Sequence, residues 1–202
     1  VESVDRRSKP RNIERITVAP LAAPAIPAAA SALRRLYVVR FAFAIVWAVV
    51  MFTTASHLGP LAATLLVLYP LFDVFAALVD ARSSRAAGSV LGLHVNVAVS
   101  LLAAIGVAIA SASGIPAVLR VWGAWAIVAG LVQLMVAANR RKIGGQWPMI
   151  ISGAISVLAG TSFIVMAGAD DATLTSVAGY AIPGGIFFLV SALRLGRSAK
   201  EN

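Results

Sequence analysis

Cysteine is absent from the 202 residues, which excludes disulfides, thiolate metal cages and thiol nucleophiles. Acids are scarce as well: 8 Asp and Glu stand against 17 Lys and Arg, and charged residues make up 12% of the chain. A soluble domain carries about 25% charged and about 45–50% apolar residues, whereas here the apolar share is 60% and the mean hydropathy +0.90. Catalytic signatures are missing too. The chain has no HExxH, no GxxxxGK[ST] and no G-x-S-x-G, and its acids are too scattered for a metal cage. The sequence therefore reads as a non-enzymatic membrane protein with no catalytic residue, metal or cofactor.

What is present is apolar length. A bilayer core of about 30 Å needs about 20 helical residues, and six segments reach that length: 36–55, 61–80, 89–111, 117–138, 147–167 and 174–194. The net charge of +9 is compatible with nucleic-acid binding until its location is considered. Basic residues precede span 1 (Arg6, Arg7, Lys9, Arg11, Arg15, Arg34, Arg35) and follow span 2 (Arg82, Arg85), span 4 (Arg140, Arg141, Lys142) and span 6 (Arg194, Arg197, Lys200). The opposite loops hold none, and Asp170 and Asp171 lie in the last of them. This asymmetry follows the positive-inside rule and predicts cytoplasmic termini, with the lipid bilayer as partner and no nucleic acid.

Residues 1–35 read as a disordered basic tail that passes into an Ala-rich run interrupted by Pro20, Pro24 and Pro27. A secretory signal is the alternative, with an Ala-x-Ala end at Ala28 and Ala30, but the prolines make a poor apolar core. Residues 196–202 read as a cytoplasmic C-terminal tail. Between the tails, Gly59, Gly114 and Ala169 mark three outer turns spaced 55 apart. That spacing predicts an all-α fold of three parallel-repeat hairpins, 36–80, 89–138 and 147–194. Small residues recur on helix faces at Gly88, Gly92, Asn96 and Ser100, and at Gly153, Ser156 and Gly160, as close-packed membrane helices require.

A few polar residues inside the spans are not demanded by packing. Asp73 costs about 2.5–3.5 kcal/mol at a helix centre and needs a partner. Arg40, in the neighbouring helix at a depth differing by roughly 5 Å, is the candidate. His94, Asn96 and Gln133 enter the same half, so Arg40, Asp73, His94, Asn96 and Gln133 form a candidate intramembrane cluster. Two readings of it stand side by side: a titrating proton or ion site, and a fixed Arg40–Asp73 pair. Asp80 shares a helix face with Asp73 as a secondary candidate. Arg120, beside Trp122 and Trp125, reads as an interfacial anchor, as do Tyr37 and Trp147 on the other side.

The residues Trp147, Ser152-Gly153, Gly160, Gly179-Tyr180, Gly184-Gly185 and Ala192, with a weaker echo at Trp125, Gly130 and Gln133, resemble the HdeD-like family of small six-span bacterial membrane proteins, grouped under a domain of unknown function. Tyr69-Pro70, Asp73, Asp80-Ala81 and Arg40-Phe41-Ala42 look more like an uncharacterised proteobacterial subgroup. The resemblance implies a bacterial inner-membrane location and a link to acid stress, and it brings no catalytic residue. The sequence expectation is an accessory or stress-related membrane protein, assembled with other membrane subunits or as a homo-oligomer. The alternative is a small proton-coupled transporter or channel.

Overall fold

The computed structural model describes residues 25–84, 91–139 and 147–198. They form six α-helices: α1 (Ala25–Phe52), α2 (Pro60–Ser84), α3 (Leu91–Ala110), α4 (Ile115–Asn139), α5 (Trp147–Met166) and α6 (Thr175–Ser198). Among the described residues there is no strand, and each helix is long and apolar enough to cross a membrane. The chain is an all-α, six-span integral membrane protein.

Both ends of the helical region extend into what the sequence assigned to tails. α1 starts at Ala25 rather than residue 36. Alanine has the highest helix propensity, and Pro27 falls in the first turn, where no backbone N–H is needed. α6 likewise runs on to Ser198. The remaining tail residues, 1–24 and 199–202, lie outside the described residues, as do Arg85, Gly88, Arg140, Arg141 and Lys142.

The helices close a ring in chain order, but the expected hairpins are not its closest-packed units. α4 packs most extensively on α5, α1 on α6 and α2 on α3, while the α1/α2 and α5/α6 seams are sparser. Glycine explains the tightest pair. A Cβ on Gly123 would lie 2.5 Å from the Gly160 carbonyl oxygen, and one on Gly160 equally close to that of Gly123. Seven residues along, Gly130 and Gly153 meet in the same reciprocal way, at 2.7 and 2.9 Å. Two backbones thus touch at two levels, giving packing contacts that lipid cannot replace. At the turn before α4, Gly114 adopts φ +94°, a left-handed conformation that suits glycine.

The half of the bundle remote from the basic helix ends is filled by apolar side chains, including fully buried Met51, Leu66, Val107, Val118, Leu119, Leu174 and Val177. Across its inner boundary lie Trp47, Tyr69, Trp122 and Trp125, with ring centroids 4.7–6.0 Å apart. Trp122 and Trp125 are therefore core residues and not the interfacial belt expected from Arg120 nearby. Tyr37 is corrected in the same sense: it is buried, with its ring 5.7 Å from that of Phe188. Trp147 is exposed.

Introducing leucine at Gly123 or Gly160 is expected to force α4 and α5 apart, at a cost of about 1–3 kcal/mol or more from overpacking. Gly59→Ala, which meets nothing within 4 Å, serves as the control. Thermal unfolding in detergent checks this; equal stability of the three variants would show that the glycine contacts do not hold the pair.

Candidate functional site

Asp73 is the centre of the site. It occupies the middle of the Pro60–Arg82 span, and Arg40 the middle of Ser31–Phe52, so both lie deeper than the sequence placed them. Arg40 Nη2 donates to Asp73 Oδ1 in a salt bridge between α1 and α2. The second oxygen accepts twice from α3: Asn96 Nδ2 donates to Oδ2 at 2.6 Å and Ser100 Oγ at 2.8 Å. Behind them, the Trp125 indole of α4 donates to Ser100 Oγ at 3.0 Å. The Arg40 guanidinium carbon stands 4.2 Å from the centroid of the Phe188 ring on α6, a cation–π contact. One carboxylate thus joins groups from five helices.

The local sequence makes this arrangement possible. Asn96 and Ser100 are four residues apart and share a face of α3, and Gly92, one turn earlier, lets α4 approach so closely that a Cβ there would meet Val136 at 2.6 Å. Ser100 was a packing residue in the sequence reading. Its spacing from Asn96 was the available signal for its second role.

A cavity of about 120 Å³ adjoins the cluster and takes lining residues from all six helices. It runs from Gly92 and Met149, in the first turns of α3 and α5, to Tyr180 and Ser156 deeper in the bundle. Beyond lie the apolar core residues, so the cavity occupies the basic half. Gln133 lines it and donates to the Met149 carbonyl at 2.8 Å, away from Asp73. Tyr180 donates to Ser156 Oγ at 2.5 Å, and Ser156 to the Ser152 carbonyl at 2.9 Å.

Of the other predicted residues, Asp80 shares the cavity, whereas His94 and Arg120 do not line it. His94 is exposed on α3 and does not line the cavity, which separates it from the Asp73 cluster. One residue's displacement from Leu93 turns a helical side chain by about 100°, and Leu93, not His94, faces inward. Asp80 is buried and lines the cavity. Arg120 is exposed and donates to the Ala167 carbonyl at 3.4 Å, at the end opposite the basic termini. Among the described residues, no three His, Cys, Asp or Glu side chains group as metal ligands.

Fold and site together define a six-helix integral membrane protein with a cavity of mixed polar and apolar lining in one half. No protein-family model, curated protein or solved structure matches the chain.

Removing one partner of the ion pair is expected to be costly, because it leaves the other without compensation in a partly buried site; about 3–5 kcal/mol is the usual range for buried pairs. Arg40→Ala and Asp73→Ala should each lower thermal stability in detergent, and the double replacement should lose less than the sum. Additive losses would exclude coupling between the two side chains.

Proposed function

We propose that this protein is a non-enzymatic accessory protein of a bacterial cytoplasmic membrane, with both termini in the cytoplasm. The observation that carries the reading is the engagement of Asp73 from two neighbouring helices: three donors reach its two oxygens, one from α1 and two from α3. A carboxylate so held is a joint between helices. The apolar half of the bundle supports the same conclusion, since it places packed side chains where a conduit needs a polar path. The resemblance to the HdeD-like family adds a role in acid stress, and the 55-residue spacing of the outer turns adds descent from a repeated hairpin. Its partners, in this reading, are other membrane subunits or further copies of the chain.

The cavity favours a second reading, a small proton-coupled transporter or channel, because it brings solvent-sized space next to an intramembrane acid. The two readings separate in liposomes. The accessory role predicts that proton flux under an imposed pH gradient stays at the protein-free level in the wild type and in Asp73→Asn alike. Flux above that level in the wild type, lost in Asp73→Asn, would assign the protein to transport.

Orientation is directly testable because the chain has no native cysteine. Single cysteines at His57 and Asp170 are expected to react with a membrane-impermeant maleimide in intact cells, and one at Arg82 only after disruption. The reverse pattern would invert the topology.

A further inference from the structure

The hydrogen-bond inventory around Arg40 is unbalanced. A guanidinium has five N–H donors, and among the described residues Asp73 is its hydrogen-bond acceptor. Asp73 Oδ2 accepts from Asn96 and Ser100 and Oδ1 from Arg40, so of its roughly four lone-pair sites about one is left. Tyr69 lies one helical turn from Asp73 on the same face of α2 and lines the same cavity. Its hydroxyl has no hydrogen-bond partner among the described residues. The cavity wall therefore offers donors from two helices, more than the remaining lone pair of Asp73 can take, and polar groups shielded from bulk water are ordinarily paired.

We infer that the cavity beside Arg40 and Tyr69 is a binding site for a small monovalent carboxylate. Two oxygens on one carbon match the N–H fork of a guanidinium, which a spherical anion does not. Phe188 and Trp125 line the same cavity, and apolar ring carbons suit a short alkyl group. Size restricts the class: an engineered cavity of about 150 Å³ holds benzene, so a volume of about 120 Å³ takes on the order of four to six heavy atoms. Formate, acetate and propionate meet that limit, and benzoate exceeds it. Charge supplies the approach. Arg34, Arg82, Arg194 and Arg197 lie toward the basic end, where the cavity begins, and a concentration of positive charge there raises the local level of anions. Asp80, on the same wall, stands two turns from Asp73, about 10 Å along α2, and has interactions of its own. Binding does not depend on the accessory reading, because a ligand can reside in this half without crossing the other.

The test uses the full-length protein in detergent at constant pH and ionic strength, with sodium gluconate, too large to enter, as the balancing salt. Thermal stability and tryptophan fluorescence are followed as sodium acetate is added. A saturable response is expected, with a dissociation constant on the order of millimolar for so few atoms. Propionate should act similarly and benzoate should not. Tyr69→Phe keeps the ring and its packing, and should weaken acetate binding about tenfold, the loss of a hydrogen bond to a charged group. This variant avoids the fold-disrupting removal of Arg40. A response that never saturates, an equal response to benzoate, or unchanged acetate affinity in Tyr69→Phe would each overturn the proposal and leave the cavity to water.

Discussion

The bundle depends on how one buried carboxylate is satisfied. An ionisable group in the middle of a span cannot rely on bulk water, so neighbouring helices supply its partners, and satisfying it fixes where those helices lie. Asp73 draws Arg40 from α1 and Asn96 and Ser100 from α3. Trp125 and Phe188 extend the connection to α4 and α6 through Ser100 and Arg40. Apolar packing is permissive about rotation when lipid and side chains are equally apolar, whereas this network is not. Polar contacts therefore set the arrangement on one side of the bundle, and glycine contacts between α4 and α5 set it on the other.

The division between polar and apolar halves follows from the same economy. The cluster and the cavity occupy the half that begins at the basic helix ends, and the aromatic group of Trp47, Tyr69, Trp122 and Trp125 lies across its inner boundary. Two of the three indoles have found acceptors inside the fold: Trp47 donates to the Leu65 carbonyl at 2.7 Å and Trp125 to Ser100. Trp122 has not; its Nε1 is buried without a hydrogen-bond partner among the described residues. Large amphipathic rings thus do opposite work at the two ends of this cluster, closing the apolar side and bracing the polar one.

Much of this was legible in the primary structure. Six spans follow from apolar length alone, and the Arg40–Asp73 pair follows from the cost of an isolated acid at membrane depth, combined with helical rise. Gln133 reached the cavity, as its placement implied, though its bond is to a backbone carbonyl. His94 did not join Asp73, because the rotation of α3 turns on which neighbours Leu93 and Asn96 find, and no local pattern encodes that. Trp122 and Trp125 misled for a related reason. Tryptophans two and five residues from an outer arginine have the composition of an interfacial belt, and their true position depends on the rotation of α4, which Gly123 and Gly130 impose from the far side. The start of α1 was missed because prolines were weighed as breakers, whereas Pro27 sits where a helix tolerates one.

The closure of α1 against α6 bears on how the chain is assembled. Of the six helices α1 is made before the others, yet the one on which it packs most extensively, α6, is made after them. Throughout that interval Arg40 would face hydrocarbon, were it not for Asp73 on the very next helix. The ion pair is the earliest long-range contact available to α1, and it neutralises the one basic group within that helix's central stretch while four further spans are synthesised. Its position between consecutive helices makes the charge pair a chaperone written into the order of the sequence.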